Sequence, residues 1–224
     1  MEKEAILLKQ EIKICLPPYK MVYSVMFFVI LSLIRGITLT GEIGGALDAN
    51  AALLAVVFCA ETYVMERSSG RWEIFVLYPE RNRAKAVMRR LLIQNVYLCV
   101  LSYIGFFFFF WQKPVLLSDN SLLFQYGMYM LAVTGTILFW STLSVTISNL
   151  IGSQWGGIGI CLAVWMMINS TFGDKTLGIF NIFAYSFRGT EEPLDLSWLW
   201  GKALGILLAA VMVGMTPYIL KKRG

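Results

Sequence analysis

The chain has 224 residues, 58% of them hydrophobic and only 15% charged, with a net charge of +5. Soluble domains are roughly half apolar and a quarter charged, so this composition excludes a single water-soluble core. The basic excess flanks apolar stretches instead of forming one soluble patch, which argues for membrane topology and against a nucleic-acid partner.

In chain order, residues 1–18 come first. Ala5, Leu8, Ile12 and Cys15 recur at helical spacing, while Lys3, Glu4, Lys9, Glu11 and Lys13 lie elsewhere, which predicts an interfacial helix ended by Pro17-Pro18. The mixed charges at Met1-Glu2-Lys3-Glu4 do not read as a cleavable signal, so the first span is expected to stay as an anchor. Residues 19–224 then read as one transmembrane domain. Six all-helical spans are drawn at 21–38, 50–65, 91–111, 122–147, 155–171 and 198–220. The apolar run at 176–185, within a segment at about 173–190, is too short to cross a bilayer and is expected to be re-entrant and outward-facing.

Of the nineteen Lys and Arg residues, fourteen fall in the N-terminal segment, the 67–90 segment and the C-terminal tail. The positive-inside rule places all three in the cytoplasm. Cys15, Cys59, Cys99 and Cys161 are widely separated and show neither disulfide nor metal-ligand spacing. Phe106 to Phe110 reads as a lipid-facing stripe.

Arg35 and Glu61 are the ionisable residues drawn closest to hydrocarbon, where a charge at the centre of a span costs roughly 2.5–3.5 kcal/mol. Both lie near span ends, so snorkelling anchors are favoured over substrate or proton roles. Glu61 is also placed to tie span two to the basic start of span three. Asn95, with Gln94, Asn149, Gln154 and Asn169, either hydrogen-bonds between helices or lines a hydrated path. The pairs Gly152/Gly156 and Gly201/Gly205 fit close helix packing, within the chain in preference to between chains.

The stretch from Glu66 to Arg83 carries most functional information. Gly70 can cap a short helix, Glu73 favours its positive start, and Pro79 ends it. Trp72, Phe75 and Val76 form one apolar stripe, and Ile74, Leu77 and Tyr78 form another. One stripe can pack on the bundle, leaving the other for a protein partner; the competing reading is a helix lying wholly in the interface with its arginines on anionic lipid.

Glu66-Arg67, Gly70, Glu73, Pro79 and the following basic run resemble the cytoplasmic loop of type-two ABC exporter permeases, including those of peptide or bacteriocin export and immunity systems. The N-terminal amphipathic helix, six spans and short outer helices before the last span follow the same family order. The resemblance implies a coupling helix at about 70–79, with Glu66, Arg67, Gly70, Arg71, Trp72, Glu73, Phe75, Val76, Tyr78 and Pro79 contacting a separate nucleotide-binding ATPase. It further implies a second permease chain, identical or different, within a bacterial cell membrane. Cargo would be hydrophobic or amphipathic, such as a peptide, antibiotic or lipid-like molecule, in keeping with aromatic spans that include Trp140, Trp155 and Trp165.

No phosphate loop occurs, the nearest fragment being Gly173-Asp174-Lys175-Thr176. The chain is therefore expected to be no enzyme and to carry no cofactor, with Mg-ATP bound by the partner. Glu191-Glu192 resembles the start of the glutamate motif of membrane CAAX-type proteases, but the chain has no histidine for their metal chemistry. The remaining alternatives are an ion-coupled transporter or channel, and a non-transporting membrane immunity or scaffold protein.

Overall fold

The computed structural model describes residues 2–37, 40–62, 64, 80–112, 122–188 and 195–223. Among these there are nine α-helices and no strand. They are α1 (Glu2–Cys15), α2 (Pro18–Ile34), α3 (Thr40–Cys59), α4 (Glu80–Gln112), α5 (Leu122–Ile151), α6 (Gln154–Ile168), α7 (Thr171–Leu177), α8 (Ala184–Arg188) and α9 (Trp198–Arg223), with a 3-10 turn at Gly178–Phe180.

Helices α3, α4, α5 and α9 are each long and apolar enough to cross a bilayer. Two bent pairs, α1 with α2 at 57° and α6 with α7 and the 3-10 turn at 73°, raise the number of candidate spans to six if each pair is one span. The chain is thus a multi-pass membrane protein. Pro17 and Pro18 explain the first bend, because Pro17 caps α2 in an extended conformation and Pro18 occupies its first turn. At the second, Asn169 ends α6 and the Ser170 hydroxyl caps α7 by accepting from the Gly173 N–H at 3.0 Å.

Helix α3 is the axis of the bundle. In its most apolar window 78% is buried, against 28% for α9, whose exposed Leu204, Leu207, Leu208 and Val211 suit lipid contact. Small residues such as Gly44, Gly45, Ala51, Ala52 and Ala55 let neighbours approach α3 closely, above all α5. The α5 hydroxyls face that seam, and Ser144 Oγ donates to the Val56 carbonyl at 2.7 Å. Helix α6 turns back along α5 through Gly152, whose φ of 75° is one that glycine adopts without strain.

Several expectations need correction. The second span begins at Thr40, ten residues before the boundary drawn from sequence, and its first half carries Glu42 and Asp48. The five phenylalanines do not form one stripe: Phe106 and Phe109 are core residues, with Phe106 stacked on Tyr129 at 5.2 Å, and Phe107 is exposed. Consecutive helical positions are turned by about 100°, so five in a row must cover every face. Gly152 and Gly156 make no helix-packing motif, since the first forms the α5–α6 turn and the second lies against Ile151 and Ser153. Gly201 and Gly205 do pack within the chain, against Asn181 and against Ile182 and Phe139.

The 176–185 run folds as short elements at the bundle's far end, the end opposite α1. There Phe183 is fully buried and stacks on Trp140 at 5.7 Å. Asn181 fixes this turn, donating from its amide to the Ile168 carbonyl at 3.1 Å and accepting from the Phe183 N–H at 2.9 Å. At the start of α9, the Asp195 carboxyl is held below its usual range, first by the Ser197 N–H and then by the Ser197 hydroxyl. The four cysteines are free, and Cys15, Cys59 and Cys161 are buried like other small apolar residues.

Candidate functional site

Three polar constellations stand out in this apolar bundle. The first joins α3, α5 and α9. Asp48 is fully buried and Lys202 is 4% exposed, and their charged atoms lie 2.7 Å apart. Thr136 completes the group, donating to Asp48 Oδ1 at 2.6 Å while accepting from the Lys202 ammonium. At 1.5 Å per residue, Asp48 lies about 12 Å from the start of α3 and about 17 Å from its end, well inside the span. Each charge alone would be expensive there, so the pair stands or falls together.

The second constellation lies at the end of the bundle where α1 meets α4, called here the basic end. Glu11, on α1, is buried and takes Arg90 at 2.6 Å and Arg89 at 3.5 Å, both from the third turn of α4. Close by in the chain, Lys20 at the start of α2 pairs with Glu61 at 2.6 Å, just past the end of α3. The same ammonium donates to the Phe58 carbonyl at 2.9 Å and lies over the Phe58 ring, while the Tyr19 hydroxyl donates to Glu61 at 2.9 Å. Replacing Glu11 by glutamine keeps the shape and some hydrogen bonding but removes the charge. We expect a loss of about 1–2 kcal/mol, read by thermal unfolding in detergent.

These pairs bear on two readings. Among the described residues, Glu61 ties the end of α3 to the start of α2, through Lys20 and Tyr19. Lys9 and Lys13 are exposed and Cys15 is buried as the amphipathic assignment has them, but Glu11 faces inward and Ile12 is exposed, because two arginines supply the charge that makes Glu11 burial tolerable.

The third feature is a recess of about 440 Å³ at the far end, between the end of α2, the first turns of α3, the end of α6 and α8. Arg35, Glu42, Asn169 and Ser186 supply polar groups, and Gly45, Ala46 and Ala49 make a small-residue wall. Two hydrogen bonds hold that wall in place: Ser186 Oγ to the Gly45 carbonyl at 3.0 Å and Trp165 Nε1 to the Ala49 carbonyl at 3.0 Å.

Among the residues singled out from sequence, Arg35 lines this recess and Glu61 belongs to the basic-end pairs. Asn95 is buried with its carbonyl oxygen unpartnered among the described residues, as is Asn149, whereas Gln94 accepts from the Thr62 hydroxyl at 2.7 Å. The coupling positions Glu66, Arg67, Gly70, Arg71, Trp72, Glu73, Phe75, Val76, Tyr78 and Pro79 lie outside the described residues. Asp48 was missed, and Lys202, one of the five basic residues outside the three cytoplasmic segments, was given no role. The available signal was a lone aspartate with the apolar Ile43 and Leu47 before it and a long apolar helix after it, but nothing in the chain connects it to a lysine 154 residues away. No group of metal-ligating side chains occurs among the described residues. Comparison with protein families, with characterised proteins and with solved structures finds no match.

Proposed function

We propose that the chain is the membrane-spanning permease of an ATP-binding cassette exporter, one of two permease chains driven by separate ATPase subunits that bind Mg-ATP. On this reading both termini and the 66–79 loop face the cytoplasm, and the cargo is a peptide or another amphipathic molecule moving outward. The supporting observation is the arrangement of the loop's two flanks. Glu61, before the loop, is ion-paired to α2, and Arg89 and Arg90, after it, are ion-paired to α1.

A push on the loop would therefore not be absorbed by a hinge on one side. It would move the ends of α3 and α4 together with the α1–α2 elbow. Motion of α3 then reaches the far end of the bundle, because Asp48 binds α3 to α5 and α9 through Thr136 and Lys202. The apolar stripe read from the sequence of residues 72–78 would give an ATPase something to hold.

A second reading, an ion-coupled carrier without an ATPase, draws on one observation, the ion pair buried inside the span. The pair fits the exporter reading equally well as a mechanical link, and the carrier reading leaves the loop's resemblance to a coupling helix unused.

Purification of the wild-type chain in mild detergent, together with the phosphate-loop ATPase encoded nearest to its gene, is expected to retain that ATPase. Phe75→Asp puts a charge on the docking stripe and is expected to cut retention at least about tenfold, as loss of a buried aromatic anchor does. Failure of the wild type to retain any ATPase would move the assignment to the carrier.

A further inference from the structure

The recess lies at the far end of the bundle, beside the ends of apolar helices. Arg35 follows directly on the apolar α2, its N–H donating to the Leu31 carbonyl at 3.0 Å as the C-cap. Glu42 lies in the first turn of α3. At the same end, Trp111 closes α4 and Trp200 opens α9, both strongly exposed, as tryptophans at a membrane interface are. The recess thus opens at the boundary of the hydrocarbon, not in water far from it.

Its chemistry is zwitterionic. A guanidinium and a carboxylate share one cavity with a hydroxyl and an amide, and Ile37 and Phe187 add apolar surface. The Asn169 side-chain amide forms no hydrogen bond with another described residue, so a donor and an acceptor remain available to a ligand. Arg35 and Glu42 each already have an interaction within the chain, so a ligand would share them. The volume of about 440 Å³ falls within the range of small-molecule sites.

The geometry points to a binding site for an aminophospholipid headgroup of the phosphoethanolamine type. Its phosphate would meet Arg35, for which the planar guanidinium fork is suited. Its primary ammonium would donate to Glu42 and to the Asn169 carbonyl oxygen. A choline headgroup carries the same charges but has no N–H to donate, and the single ring of Phe187 is no aromatic cage for it. The small-residue wall of Gly45, Ala46 and Ala49 leaves room for the headgroup beside α3. This assignment is independent of the ATPase, and its test uses the permease chain alone.

The test is native mass spectrometry of the full-length purified chain with phosphatidylethanolamine or phosphatidylcholine of matched acyl chains. The wild type is expected to retain phosphatidylethanolamine about tenfold more strongly, the size of one charge-assisted hydrogen bond. Glu42→Gln is expected to abolish that preference while keeping overall lipid binding, and Arg35→Gln to weaken retention of both lipids, with Arg35→Lys restoring part of it. Equal retention of the two lipids by the wild type, a result that depends on no variant folding, overturns the proposal. So does a preference that survives Glu42→Gln, and so does capture of a zwitterionic tripeptide with no discrimination between the lipids.

Discussion

Replacing Asp48 by leucine while Lys202 remains is expected to cost about 3–5 kcal/mol, the penalty for leaving one member of a buried ion pair uncompensated. The Lys202 ammonium would keep only the Thr136 hydroxyl, in a position where it is 4% exposed. Lys202→Met should cost a similar amount, since it strands the fully buried Asp48 carboxylate with one donor. The double variant Asp48→Leu with Lys202→Met removes both charges, and is expected to return to within about 1–2 kcal/mol of the wild type. Thermal unfolding of the four proteins in one detergent reads the cycle. Additive losses in the double variant would show that the two groups do not act as a pair.

The second large effect is steric. A Cβ at position 201 would sit 2.0 Å from the Asn181 carbonyl oxygen and 2.7 Å from its carbon. The obstacle is backbone, and that backbone is pinned by the two hydrogen bonds of the Asn181 side chain, so it cannot give way. Gly201→Ala is therefore expected to destabilise by about 3 kcal/mol, at the upper end of overpacking costs. One turn later, Gly205 would meet only ordinary contacts, at 3.6 Å from Ile182 and Phe139. Gly205→Ala should be neutral or stabilising by up to about 1 kcal/mol, because alanine is the better helix former. Opposite signs at two glycines four residues apart would locate the close helix approach at Gly201. Equal effects would contradict the contact with Asn181.

Much of the architecture follows from apolar length alone. The elbow prolines, the long third and fourth spans and the short elements before the last span were legible because each is local: proline geometry, hydrophobic run length, polar breaks. Where the reading failed, a distant partner changed the status of a charge. The start of span two was drawn at residue 50, whereas α3 starts at Thr40 and carries Asp48, accommodated by Lys202 and Thr136 on helices far away in sequence. Glu11 was assigned to the polar face of an amphipathic helix, and only the arginines of α4 make it a buried residue.

The recess shows the same limit. Arg35 stood out in the sequence as a span-end charge, and Asn169 as a polar residue near a span, but nothing local joins them to Glu42 and Ser186. Four separate segments meet there, and the contact between Ser186 and Gly45 crosses 141 residues of chain. Long-range pairing of this kind has no periodic signature, so sequence can nominate the residues without assembling them.

Co-reconstitution of the chain with its neighbouring ATPase in lipid vesicles, followed by ATP hydrolysis, tests the central claim most directly. A permease that docks through residues 71–78 predicts that the wild-type chain changes the hydrolysis rate of the ATPase several-fold and that Phe75→Asp, inserted and folded to the same extent, leaves that rate at the value of the ATPase alone. An ATPase whose rate is indifferent to both chains would contradict it.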